Sequence, residues 1–154
     1  MGFDCKECLL EKSFKSCTSL QEILSLAQTF TRWNSAYVPP LETWCKNNVT
    51  LIGDAAHGTL PYLAQGAAMA LEDAATFSLC LRQSTDIGQC FKTFFDLRHA
   101  RTARLHRSSL ATGKIYHFGI PAALLRNAVL SSLPAQLSQA RLDWVYAWNG
   151  SDRQ

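Results

Sequence analysis

Val49-Thr-Leu-Ile-Gly53-Asp54-Ala-Ala-His57-Gly-Thr-Leu-Pro61-Tyr-Leu-Ala-Gln65-Gly66-Ala67-Ala-Met-Ala-Leu-Glu72-Asp73-Ala74 is the stretch on which the fold turns. Val49 to Gly53 is a short apolar run behind the turn-forming pair Asn47 and Asn48, the pattern of a buried strand. Gly53-Asp54 breaks the strand, and Pro61 lies in the loop that follows. From about Ala64 to Arg82 the chain is rich in Ala, Leu and Met, with only Glu72 and Asp73 charged in its middle. That composition predicts a well-buried helix. A strand end is where α/β folds place ligand contacts. The Asp54 carboxylate there can accept hydrogen bonds from the hydroxyls of a sugar or sugar alcohol, and Gly53 permits close approach or an unusual backbone angle. Gln65-Gly66-Ala67-Ala68 opens the helix with backbone N–H groups that have no intrahelical partner and carry partial positive charge. Small residues let a ligand press against those donors, which suits negative charge on a cofactor. On local physics alone, ordinary strand-to-helix packing explains the same pattern, and both readings stand.

Outward from this centre, apolar residues at Leu20, Ile23, Leu24 and Ala27 have amphipathic-helix spacing, with Thr18 or Ser19 as N-cap. Thr29 to Val38 is rich in aromatic residues and threonine and reads as extended until Pro39-Pro40 ends it. Ser84-Thr85-Asp86 offers N-caps for a helix that runs through Phe91, Phe94, Phe95 and Leu97 into Arg98, Arg101, Arg104 and Arg107. This arginine ladder is expected to be an exposed face with its stems packed on neighbours. Pro121 and Pro134 bracket an amphipathic helix over Ala122 to Leu133. The aromatic end, Leu142 to Trp148, is expected to dock back onto the body.

The composition favours one globular domain. Of 154 residues, 47% are apolar and 18% charged, and the net charge is +3. So mild a charge gives no reason to expect nucleic acid as a partner. No run of about eighteen apolar residues suggests a membrane span. The first residues lack the apolar core of a secretory signal, so a cytoplasmic setting and reduced thiols are expected. Cys5 and Cys8 form a CxxC, but Cys17 and Cys45 complete no zinc spacing, and no metal is expected. Asn48-Val-Thr50 matches a glycosylation sequon that a cytoplasmic protein would not use.

Gly53-Asp-Ala-Ala-His57, a seven-residue spacer, and Gln65-Gly-Ala-x-x-Ala-x-Glu-Asp-Ala resemble the second FAD-binding motif of the group A flavoprotein monooxygenases. Upstream, Arg32-Trp33 and Pro39-Pro-Leu-x-x-Trp44 resemble the segment these enzymes carry before that strand. Downstream, Arg98-x-x-Arg101 with Arg104, Gly113-x-x-Tyr-His117 and Asp143-Trp-Val-Tyr146 resemble the salicylate-hydroxylase branch. The resemblance covers about residue 20 to the end. It implies a helix-rich α/β fold: the C-terminal fragment of a Rossmann-like, FAD/NAD(P)-binding monooxygenase with few strands. Residues 1–48 would be a remnant of the substrate domain's helix and strand, 49–83 the second FAD-binding motif, and 84–154 a C-terminal helical region. It further implies that Asp54 holds the ribityl chain of FAD, beside Gly53, and that Gly66 and Ala67 contact the flavin ring edge. Pro61 would lie near the pocket where oxygen and substrate meet, and His57 would pack its loop without a catalytic role. The implied reaction is NAD(P)H-driven hydroxylation of an aromatic or polyketide-like small molecule, in secondary or aromatic metabolism.

The chain departs from that family in what it lacks. There is no GxGxxG for the pyrophosphate, no acidic residue after it for the adenosine ribose, and no Asp-Gly motif ahead of the substrate domain. Whether FAD is held without those parts is open. The strand at 49–53 and the apolar helix would need cover from a homo-oligomer or a partner chain. Two alternatives remain beside the flavoenzyme. One is a flavin-independent fragment that binds a hydrophobic metabolite and directs a cyclisation or isomerisation. The other is a non-enzymatic accessory pseudoenzyme.

Overall fold

The computed structural model describes residues 17–31, 33–140 and 142–149, in two units, Met1–Ser35 and Ala36–Gln154. Cys5, Cys8 and Arg32 lie outside the described residues. In the first unit, α1 (Thr18–Leu26) is capped by Cys17 rather than by Thr18 or Ser19, and no side chain accepts a bond from its first amides. Both hydroxyl residues already have helical backbone, so neither can occupy the cap position. None of the helix is buried.

The second unit opens without a paired strand over residues 36–44. β1 (Cys45–Lys46) and β2 (Val49–Thr50) then form an antiparallel hairpin, Cys45 opposite Thr50 and Lys46 opposite Val49. Asn47 turns the corner at φ +54°, in the left-handed region that asparagine tolerates better than most residues. The expected five-residue strand is therefore corrected to two residues in a hairpin. Leu51 still donates to the Trp44 carbonyl at 2.9 Å, but no strand among the described residues pairs with Ile52 or Gly53. Without a neighbour to bond, the run ends early and Gly53 becomes the N-cap of α2 (Asp54–His57).

A 3-10 turn (Pro61–Leu63) leads to α3 (Gly66–Gln83) and the long α4 (Ile87–Tyr116). Asp86 caps α4 as expected, its Oδ1 accepting from the amides of Gly88 at 2.8 Å and Gln89 at 3.3 Å. α5 (Ile120–Ser132) takes Pro121 into its first turn, where a missing N–H costs nothing, and so starts ahead of Ala122. α6 (Ala135–Ala140) and α7 (Asp143–Tyr146) follow.

The core forms where α3 packs along α4. One cluster gathers Trp44, Ala56, Cys80, Cys90 and Phe94. A second joins Met69 and Leu105 to Val145, so the aromatic end docks onto the body as its composition suggested. The 3-10 turn lies close against α4. A Cβ on Gly113 would collide with the Tyr62 ring, and Ser109 Oγ donates to the Leu60 carbonyl at 2.7 Å.

α3 is not the evenly buried helix its composition predicts. Its inward face carries Met69, Glu72, Asp73, Thr76 and Cys80, whereas Leu71 is 72% exposed and Leu79 and Leu81 nearly half exposed. The two carboxylates point inward because α4 offers them cations, and three leucines point outward. α5 has no buried residue at all, with Ile120, Leu124 and Leu125 open to solvent.

Removing the α4 cap by Asp86→Ala is expected to cost about 1 kcal/mol, the ordinary worth of an N-cap carboxylate. The drop would be read from the urea unfolding midpoint.

Candidate cofactor site

The inward carboxylates of α3 organise the surroundings of Asp54. Asp73 Oδ2 accepts the Gly53 amide at 2.9 Å and faces His57 Nε2 at 2.6 Å. Its Oδ1 accepts from Arg98 Nε at 2.8 Å. Glu72 binds the same guanidinium through Arg98 Nη1 at 2.7 Å and takes a two-pronged contact from Arg101, Nε at 2.7 Å and Nη2 at 2.6 Å. Arg101 continues to the Trp144 carbonyl at 2.9 Å and the Val145 carbonyl at 3.2 Å, tying α7 to the same network.

The expectation of an exposed arginine ladder is corrected here. Arg98 is 1% exposed and Arg101 half-buried, both matched to carboxylates. Arg104 and Arg107 are exposed, Arg104 lying 3.8 Å over the Trp144 ring. Buried ions persist when paired and hydrogen-bonded. Burial pushes the Asp73 carboxyl up, but hydrogen bonds from His57, Arg98 and the Gly53 amide outweigh it and hold the group below its ordinary range.

With Gly53 fixed in this way, Asp54 is presented outward. Gly53 sits at φ +57°, where a side chain would be strained, and a Cβ would lie 3.5 Å from that of Ala70. Asp54 is exposed, and no donor among the described residues reaches its carboxylate. It stands beside the start of α3, since a Cβ on Gly66 would lie 3.8 Å from Asp54 Oδ1. Gln65, the residue before that helix, contributes no side-chain cap, so the leading amides at Gly66 and Ala67 remain donors in search of an acceptor. Gly66 is half-buried and Ala67 exposed. Asp54 also borders an open pocket of about 260 Å³ with Tyr37, Val38, Gly58 and Thr59. Pro61 is exposed, opens the 3-10 turn and does not line that pocket.

Asp54 and the start of α3 at Gly66 and Ala67, with Gly53 buried behind them, thus set an acceptor for hydroxyls next to uncapped helix donors. A polyhydroxylated, partly anionic cofactor such as FAD fits that donor and acceptor set. The structure adds Asp73, Glu72, Arg98 and Arg101, which sequence reasoning did not place in the site. Their signal was present: two adjacent carboxylates in an otherwise apolar helix demand cations nearby. His57 packs its loop against Asp73. Among the described residues, no group of three His, Cys, Asp or Glu side chains could hold a metal ion, and no helix is long and apolar enough to cross a membrane.

Comparison with known proteins gives the family. The profile of the FAD binding domain family matches residues 9–86, and the chain belongs to that family. It is 37% identical over 134 residues to 3-hydroxybenzoate 6-hydroxylase of Polaromonas naphthalenivorans (strain CJ2), covering 86% of this chain and 34% of that protein. To 3-hydroxybenzoate 6-hydroxylase 2 of Aquipseudomonas alcaligenes it is 35% identical, covering 86% and 42%. To 6-hydroxynicotinate 3-monooxygenase of Bordetella bronchiseptica (strain ATCC BAA-588 / NCTC 13252 / RB50) it is 33% identical over 93 residues, 59% of this chain and 24% of that one. The crystal structure of Klebsiella pneumoniae HpxO complexed with FAD and uric acid superposes with a TM-score of 0.66 at 22% identity, covering 97% of this chain and 36% of that one. That likeness establishes the fold. The chain spans between about a third and two-fifths of the length of the two hydroxybenzoate hydroxylases.

Asp73→Asn leaves Arg98 short of a charge partner in the interior and is expected to cost about 3–5 kcal/mol at neutral pH. Because the folded Asp73 titrates below its unfolded value of 3.8, its stabilisation is complete above that pH and is lost as the pH falls through the folded value. Urea unfolding at neutral and acid pH should therefore show a larger acid loss for the wild-type chain than for Asp73→Asn.

Proposed function

We propose that this chain provides the flavin-facing part of an FAD-dependent aromatic-ring hydroxylase. The observation that carries the reading is the exposed Asp54 carboxylate, without a partner among the described residues, next to Gly66 at the uncapped start of α3. Asp54 accepts hydrogen bonds from the ribityl hydroxyls, and Gly53 lets the backbone approach closely. The Gly66 and Ala67 amides donate to the ring edge, where the partial positive charge of the helix start favours negative charge on the cofactor. Pro61 shapes the neighbouring loop on the substrate side. FAD, when bound, supplies the oxygen-activating redox chemistry, with NAD(P)H as reductant, a requirement that fits a cytoplasmic setting. The substrate class is a small aromatic acid or its heteroaromatic counterpart, as the names of the relatives indicate for those proteins.

The relatives are much longer, and the working site is completed by polypeptide that covers the outer face of α3. Leu71, Leu79 and Leu81, with Val49 and Ile52 on the hairpin, form the apolar surface that such cover would bury. A second copy of the chain, a partner chain or further residues of a longer gene product fill that place.

Asp54→Ala is expected to weaken FAD binding about 10- to 100-fold, the worth of hydrogen bonds to a charged acceptor. The thermal midpoint should hardly move, because Asp54 has no partner to lose among the described residues. Titration followed by the flavin absorbance band measures the first and calorimetry the second. Equal FAD affinity in a folded variant would remove Asp54 from the site and favour a flavin-independent role. Purified alone, the chain should sediment as a species heavier than one chain, and Leu71→Glu with Leu79→Glu should shift it toward the single-chain mass.

A further inference from the structure

Behind the His57–Asp73 contact lie three buried polar atoms with no hydrogen-bond partner among the described residues: Trp44 Nε1, His57 Nδ1 and His106 Nδ1. Their residues are 3%, 4% and 5% exposed, so bulk solvent does not satisfy them. All three residues border the same cavity of about 10 Å³, roofed by Ala56 and Ala103. The Trp44 and His57 ring centres are 5.2 Å apart. His99, which also borders the cavity, stacks on Phe95 at 4.6 Å. An unmet polar group in the interior is costly, and a cavity of this size with two to four polar neighbours is the kind that holds an ordered water.

We infer that this cavity binds a single structural water, which accepts from Trp44 Nε1–H and donates to His57 Nδ1 and His106 Nδ1. The donor and acceptor count closes. An indole N–H can only donate, and a carboxylate can only accept. His57 therefore gives its Nε2 proton to Asp73, which in a neutral ring leaves Nδ1 as an acceptor. Burial, then the charge of Arg107, holds His106 below the ordinary histidine range, so its ring is neutral as well. One lone pair and both protons of the water are used, three bonds in all, which is typical of a buried water.

The consequence reaches the cofactor site. Asp73 sets the Nε2–H tautomer of His57, the water satisfies the Nδ1 that this leaves, and His57 in turn saturates the Asp73 oxygen that holds the Gly53 amide. Trp44 and His106 are thus positioning residues for the backbone that presents Asp54, acting through His57 and Asp73. None of this depends on which cofactor or substrate Asp54 meets.

Nitrogen-15 NMR of the whole chain above neutral pH tests the inference without any substitution. The expected spectrum has a Trp44 indole proton that cross-relaxes with water while exchanging slowly with solvent, and a His57 ring protonated at Nε2 and bare at Nδ1. A Trp44 proton with no water contact, or a proton on His57 Nδ1, would overturn it. Trp44→Phe takes away one of the three bonds. In a folded variant the His57 Nδ1 resonance should shift because its water has lost an anchor, and an unchanged resonance would deny Trp44 its part. Should that variant fail to fold, the two readouts on the unsubstituted chain still decide.

Discussion

The Asp73 carboxylate is the interaction on which the rest depends. It is fully buried and uses both oxygens, one toward Arg98 of α4 and one toward Gly53 and His57 of the loop. Three segments far apart in sequence meet on it. Without it the Gly53 amide would be unpaired, α2 would lose its anchor and Arg98 would be left with Glu72 alone. A hydrophobic residue of similar size could fill the space but could not hold that amide. Buried ion networks of this type add little net stability over apolar packing. What this one supplies is a fixed register between the strand end and the start of α3.

That network also explains why α3 is turned with its carboxylates inward. Burying Glu72 and Asp73 against Arg98 and Arg101 sets the rotation of the helix, and the rotation leaves Leu71, Leu79 and Leu81 outside. An apolar outer face on a helix that also forms part of the core suits an element packed on both sides. The two-residue β2 gives the same message. Its apolar continuation to Ile52 has the composition of a sheet strand but finds no neighbour among the described residues. Both features agree with a chain that spans only part of the length of its relatives.

Two aspartates in one short stretch have opposite environments. Asp73 is saturated with donors and serves the scaffold. Asp54, held in place by that scaffold, is exposed and has no donor of its own among the described residues. Rigid support behind an unsatisfied polar group is how a binding site is preorganised, because the ligand need not then order the protein.

Local features were legible in the sequence because their physics is local. The Asp86 cap needs two amides within three residues. The break at Gly53-Asp54 and the helix after Gln65 follow from side-chain size and backbone freedom. The family, too, could be recognised from the spacing between Gly53 and Gln65. The arginine ladder misled because helical periodicity gives the face a residue occupies but not what that face meets. Arg98 and Arg101 are interior only because Asp73 and Glu72 wait 25 and 29 residues away. The strand was overdrawn for the same reason: propensity offers five residues, but hydrogen bonds across a sheet need a partner. Chain chemistry by itself determined the elements and the outward carboxylate at Asp54. Tertiary structure decided which charges are buried, how far the strand extends and what holds Gly53, because each depends on groups brought together only when α4 folds back on α3.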